Sequence, residues 1–105
     1  MGWNTWNKYY CNVSEEIVKF NSDAIVQLGL DKLGYKYINV DDCWMLKERD
    51  SRGHMIADPV TFPSGMKDLG DYIHSKGLKY GIYSSAGNMT CERRAGSLYY
   101  EAVDA

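Results

Sequence analysis

Two segments constrain this chain more than any other feature: Tyr35-Lys36-Tyr37-Ile38-Asn39-Val40-Asp41 and Leu78-Lys79-Tyr80-Gly81-Ile82-Tyr83. Both are dense in β-branched and aromatic residues and read as strands. Each follows a helical pattern. Ser14 is placed to cap a helix whose first turn holds Glu15 and Glu16, favourable at the positive end of the helix dipole. Ile17, Ala24, Ile25 and Leu28 then recur at helical spacing, and Gly29 suits a left-handed stop. Leu30 to Gly34 reads as a connector. Ser64 is placed to cap a second helix with Met66, Leu69 and Ile73 on one face and Gly77 just past its end. Residues 1–6 read as a further short strand, and Tyr99 to Ala105 as the opening of a third helix. Asp42 to Pro63 is polar and irregular, with a turn at Asp50-Ser51-Arg52-Gly53, and residues 84–97 form another loop.

Strand and helix therefore alternate three times, which predicts an α/β chain of parallel strands joined by right-handed crossovers. A flavodoxin-like open sheet and a (β/α)8 barrel both satisfy that order. Three parallel strands cannot cover themselves on both faces. With the chain stopping inside an apparent helix, the expectation is a fragment of a larger fold.

Composition removes several functional classes. The 105 residues carry a net charge of −2, too little positive field for nucleic acid or an anionic membrane surface. No apolar run approaches the roughly 20 residues of a membrane span. Nine Tyr, three Trp and two Phe are too many for a chain that cannot collapse. Cys11, Cys43 and Cys91 make an odd number without a C-x-x-C spacing, against a zinc ribbon or a thioredoxin-type centre. An odd count fits buried cytosolic thiols, or a secreted protein with one partner outside this chain. Met1 is followed at once by Gly2-Trp3-Asn4-Thr5-Trp6, with no signal-peptide pattern, so any targeting segment is expected to lie outside this chain.

Neither a G-x-G-x-x-G nor a G-x-x-x-x-G-K-[ST] phosphate loop occurs. Instead, the carboxyl end of each strand carries aromatic, acidic or cysteine residues: Trp3-Asn4-Thr5-Trp6 with Cys11, then Asp41-Asp42-Cys43-Trp44, then Tyr83 with Cys91. Ligands of α/β folds bind at that edge. Indole faces beside paired carboxylates suit a sugar ring, which lies against the aromatic while the acids accept its hydroxyls. Each element also has a plainer reading. Trp3 or Trp6 alone reads as core packing, and Asp41-Asp42 alone as a solvated loop or cap. His54 and His74 read as structural, and Glu15, Glu16, Asp68 and Asp71 as solvated helix charges. The acidic pair offers too few oxygens for a hard cation, and no metal or cofactor is expected.

Asp41 and Asp42 are not the acid and nucleophile of a glycosidase. A retaining enzyme needs two carboxyls about 5–5.5 Å apart across one scissile bond, whereas neighbours at a strand end diverge to opposite faces. Asp41 shares a face with Tyr37 and Asn39, while Asp42 turns into the loop. The pair suits gripping two hydroxyls on adjacent carbons.

These same stretches resemble the retaining α-galactosidases and α-N-acetylgalactosaminidases of glycoside hydrolase family twenty-seven. The likeness runs through Met1-Gly2-Trp3-Asn4-Thr5-Trp6-Asn7, the strand from Tyr35 to Trp44, Arg49-Asp50-Ser51-Arg52-Gly53, Ala57-Asp58-Pro59 and Phe62-Pro63-Ser64-Gly65-Met66. It continues through His74 to Ser84, Thr90-Cys91, Gly96-Ser97 and Asp104-Ala105, and so spans the whole chain.

The resemblance implies the first three βα units of a (β/α)8 TIM barrel, residues 1–105, with the remaining barrel and a C-terminal β-sandwich outside this chain. It implies a parent enzyme hydrolysing terminal α-D-galactosyl residues with retention; α-N-acetylgalactosaminidase or a non-catalytic galactose-binding relative are the alternatives. Asp41 and Asp42 would hydrogen-bond the 4- and 6-hydroxyls of galactose, Trp6 would pack near its C6 arm, and Tyr83 would sit beside the reacting carbon. Cys91 would belong to the same substrate-binding group and pair with a cysteine beyond residue 105. Cys11 and Cys43 would form a disulfide. No catalytic residue is expected here, because the family's nucleophile lies in a Lys-Tyr-Asp motif, and Lys36-Tyr37 and Lys79-Tyr80 are followed by Ile38 and Gly81. By itself this polypeptide is expected to be inactive. The implied partner is an α-galactoside, with homo-oligomerisation open for the full-length enzyme, and the implied location is secreted, lysosomal or vacuolar.

Ala95 departs from the family's usual proline before Gly-Ser, which loosens that turn. Arg93 and Arg94 replace residues that are usually uncharged or aromatic. Asn12-Val13-Ser14 and Asn88-Met89-Thr90 are N-glycosylation sequons.

Overall fold

The computed structural model describes residues 1–105. Strands β1 (Gly2–Asn4), β2 (Tyr37–Val40) and β3 (Lys79–Ile82) form one parallel sheet in the order β1-β2-β3. Trp3 pairs with Ile38, and Ile38 with Tyr80. That order differs from one of the two architectures the sequence allows. A flavodoxin-like sheet places its first strand between the second and third, but here β2 is central.

The expected helices form, with altered details. Helix α2 (Glu15–Gln27) starts as predicted: the Ser14 hydroxyl accepts the Ile17 N–H at 3.3 Å. Its fully buried stripe is Val18, Ser22 and Ile25, with Val26 packed partly against it, rather than the set ending in Leu28. Leu28 is 73% exposed, because it lies past the last helical turn, where Gly29 already takes a φ of 70°. The connector that follows contains a 3₁₀ turn at Asp31–Leu33. Helix α3 (Gly65–Ser75) buries Leu69 and Ile73, with Met66 packed alongside, as the spacing predicts.

The Ser64 cap is corrected. Ser64 lies in the helical region and makes no side-chain cap bond. Its hydroxyl donates to Glu15 Oε1 at 3.0 Å and its N–H to Glu15 Oε2 at 3.1 Å. Glu15 is thus a buried acceptor serving the start of α3, not a solvated helix charge.

Two short helices complete the chain: α1 (Trp6–Tyr9), where the sequence showed only the end of a strand, and α4 (Glu101–Asp104), within the predicted third helix. Helices α2 and α3 lie against one sheet face. Their apolar residues join Ile38, Val40, Trp44, Met45 and Phe62 in a single core, with Trp3 and Tyr80 packed on its edge. Alternation puts Tyr37, Asn39, Lys79 and Gly81 on the other face, which no helix covers. At Gly70 a Cβ would stand 2.9 Å from the Tyr80 ring, so α3 approaches β3 there as closely as glycine allows. No helix is long and apolar enough to cross a membrane.

Candidate functional site

The site residues collect where β1, β2 and β3 end. Parallel strands expose their last carbonyls and side chains on one rim, and the loops that follow must satisfy that backbone. Thr5, fully buried just after β1, accepts the Asp41 N–H on its hydroxyl at 3.0 Å. Asn4 serves two strands at once. Its Oδ1 accepts the Trp6 N–H at 2.8 Å, and its Nδ2 donates to Asp41 Oδ2 at 2.9 Å. Trp6 and Asp41 are therefore linked through one amide. The Trp6 ring is half-buried and stands edge-on to Tyr10, with centroids 5.3 Å apart.

Asp42 is buried, and both its oxygens are in use. Oδ1 accepts the Cys43 N–H at 2.7 Å and Oδ2 the Glu92 N–H at 3.0 Å. Asp41 Oδ1 in turn accepts the Asp42 N–H at 2.8 Å. A carboxylate has about four lone-pair directions, so each acid keeps acceptor capacity after these bonds. The two acids are fixed before any ligand arrives. Cys43 adopts φ 74°, a conformation non-glycine residues seldom take, and the Asp42 bond to its N–H holds it there. The same residue forms a disulfide with Cys11, Cα atoms 5.2 Å apart, joining the loop after β1 to the end of β2.

From β3, the Tyr83 carbonyl accepts the Trp44 indole N–H at 2.7 Å, anchoring the third strand end to the second. Burial raises the Tyr83 hydroxyl pKa most, followed by the neighbouring Cys91 thiol and the Asp42 charge. Tyr83 is thus a protonated donor beside Asp42. Cys91 is a free, exposed thiol. Beyond Tyr83 a cavity of about 500 Å³ opens between Trp44, Met55, Ile82, Ser84, Ser97 and Val103. Asp41, Asp42, Tyr83 and Cys91 thus converge, and Trp6 joins them through Asn4. No cluster of three or more His, Cys, Asp or Glu side chains could hold a metal. His54 and His74 are both exposed.

Four contributors escaped the sequence reading. Asn4 and Thr5 sit inside the Trp-rich stretch that was singled out, and amide and hydroxyl side chains at a strand end are the available signal. The Glu92 N–H carries no signal at all, because backbone donors are invisible in sequence. Arg49 is the fourth: its guanidinium forks onto Asp104 at 2.7 and 2.6 Å and donates to the carbonyls of Gly53 and Gly96.

The family model described as Alpha galactosidase A matches residues 1–105. This chain belongs to the α-galactosidase family. Alpha-galactosidase 2 of Arabidopsis thaliana is 56% identical over 106 residues, covering 100% of this chain and 27% of that protein. The crystal structure of α-galactosidase I from Mortierella vinacea superposes with a TM-score of 0.97 at 54% identity, over 99% of this chain and 26% of that one. The Saccharomyces cerevisiae α-galactosidase with raffinose superposes at 0.96 and 46% identity, over 99% and 23%. The chain therefore spans about a quarter of the length of these α-galactosidases.

Proposed function

We propose that this chain forms the first three βα units of the (β/α)8 barrel of a retaining exo-α-galactosidase and supplies part of its grip on the sugar. The reading rests most on one observation: Asp41 and Asp42 stand side by side at the rim, each pinned by protein donors and each with acceptor capacity left. Pre-fixed, partly desolvated carboxylates bind hydroxyls without reorganising. In this reading Asp41 and Asp42 accept the 4- and 6-hydroxyls of a terminal galactose, Trp6 packs beside its C6 arm, Tyr83 sits beside the reacting carbon, and Cys91, of the same substrate-binding group, pairs with a cysteine beyond residue 105. The nucleophile and the acid/base come from outside residues 1–105. A β-sandwich follows the barrel.

Raffinose, present in the yeast structure, carries a terminal α-galactosyl group and supports that substrate class. No residue of this chain favours the N-acetylgalactosaminidase alternative. The Cys11–Cys43 disulfide suits an oxidising compartment, and we assign the enzyme to the secretory route, extracellular, lysosomal or vacuolar. The test is hydrolysis of an aryl α-galactoside by the full-length enzyme, followed by NMR. Release of α-galactose as the first-formed anomer is expected. First-formed β-galactose, or a preference for the N-acetylgalactosaminide, overturns the reading.

A further inference from the structure

Asn12 is exposed, and its side-chain amide has no partner within the fold, although the residues on both sides of it are committed. Cys11 is tied to Cys43 by the disulfide. Val13 is 1% exposed and belongs to the core. The Asn12 N–H closes the turn onto the Tyr9 carbonyl at 2.8 Å. Backbone and neighbours thus fix this turn while the Asn12 side chain is left at the surface. The third residue of the triplet, Ser14, carries the hydroxyl that a sequon requires. In the folded chain that hydroxyl caps α2.

We propose that Asn12 carries an N-linked glycan. Two independent features support it. The triplet Asn12-Val13-Ser14 has the required spacing with no proline at its centre. The adjoining disulfide suits the oxidising lumen in which such glycans are added. The co-reactant is an oligosaccharide linked through a diphosphate to a polyisoprenoid lipid. The Asn12 Nδ2 bonds to the anomeric carbon, the bond from that carbon to the phosphate oxygen breaks, Nδ2 loses one proton, and the lipid diphosphate departs. Transfer precedes folding, so Ser14 is free during the reaction and becomes the helix cap afterwards.

The second sequon is placed differently. Thr90 is 5% exposed, and its Oγ1 accepts the Arg94 N–H at 3.0 Å. The Asn88 carbonyl accepts the Gly96 N–H at 3.1 Å, and a Cβ at Gly96 would stand 2.8 Å from the Asn88 backbone. Asn88 is exposed as well, but its backbone is packed closely against Gly96.

The experiment uses the full-length protein secreted from a eukaryotic cell. Peptide N-glycosidase in ¹⁸O water, followed by reduction, alkylation and trypsin, releases the peptide Tyr9–Lys19. Conversion of Asn12 to ¹⁸O-labelled aspartate is expected, together with loss of one glycan mass in Asn12→Gln and higher occupancy in Ser14→Thr. Asn12→Gln is expected to retain the Cys11–Cys43 disulfide, which separates a lost glycan from a lost fold. Unmodified Asn12 from cells that glycosylate a control protein overturns the proposal, as does modification at Asn88 alone. The readout is mass rather than activity, so the galactosidase reading stands or falls separately.

Discussion

The Asp42 carboxylate accepts the Glu92 N–H at 3.0 Å, joining the end of β2 to the loop after β3 across 50 residues of chain. Its other oxygen holds the Cys43 N–H at 2.7 Å. The acid proposed to grip galactose is therefore also the acceptor that shapes the loop carrying Cys91. The proposed binding residue and the scaffold are one side chain.

Asp42→Asn tests that double duty. An amide offers one acceptor oxygen and an NH2 group, so one of the two backbone N–H groups must face a donor. Loss of a charge-assisted acceptor costs about 2 kcal/mol, which is roughly thirtyfold in kcat/KM. In the full-length enzyme the expected result is at least that fall on an aryl α-galactoside. Greater protease sensitivity of the loop around Cys91 should accompany it. Unchanged kinetics would remove Asp42 from the site.

Asn4→Ala should act through two neighbours at once. It strips Asp41 of a hydrogen-bond donor and leaves the Trp6 N–H without its acceptor. The carboxylate regains rotamer freedom that a ligand must then quench, at about 0.5–1.5 kcal/mol per side chain. A severalfold rise in KM is expected in steady-state kinetics. Asn4→Asp should be worse, because a second carboxylate would face Asp41 Oδ2 in place of the amide donor. If Asn4→Asp matched wild type, the bridge would have no role.

How much of this was legible beforehand follows physical lines. The alternation of Ile38 and Val40 with Tyr37 and Asn39 made β2 readable, because burial on one face repeats every second residue. The Met66, Leu69 and Ile73 spacing gave α3 for the same kind of reason. Strand order was beyond local pattern, since flavodoxin-like and barrel chains share the same alternation of elements. The α1 turn was hidden because Trp6 to Tyr9 has no apolar period and no side-chain cap. Glu15 misled because a glutamate in a helix's first turn is ordinarily solvated, and only the returning loop brings Ser64 onto it. At the site, Asp41, Asp42, Tyr83 and Cys91 stood out by residue type. The donors that aim the two acids are mostly backbone N–H groups, which every residue but proline has.

Two glycines separate stability from function. Gly70→Ala would place a Cβ 2.9 Å from the Tyr80 ring at the α3–β3 contact. Overpacking of that kind costs about 1–3 kcal/mol, so a lower Tm with unchanged KM is expected. Gly81→Ala would instead drive a Cβ into the Asn39 side-chain amide on the uncovered sheet face. Asn39 must shift, and the face that leads to Asp41 shifts with it. Kinetics should therefore change in Gly81→Ala more than in Gly70→Ala; the reverse order would show that the uncovered face does not communicate with the site.

Arg49 and Asp104 set an acid limit on the loops around the site. The Arg49 fork lowers the Asp104 pKa, with Arg49 hydrogen bonding as the largest cause, while Asp104 raises that of Arg49. A carboxyl whose pKa is lower folded than unfolded stabilises the fold fully above its unfolded value, about 3.9. That contribution fades as pH falls through the lowered folded value. Asp104→Asn should thus reduce Tm by a few degrees at pH 7, and the gap from wild type should close below about pH 4. The guanidinium also donates to Gly53 and Gly96 and lies 4.1 Å from the Tyr100 ring centroid, contacts that acid leaves intact. Arg49→Leu should therefore keep a deficit at pH 3 that Asp104→Asn loses. Melting curves of the full-length protein across that range check both slopes. A constant gap for Asp104→Asn would mean that the ion pair contributes nothing that protons can remove.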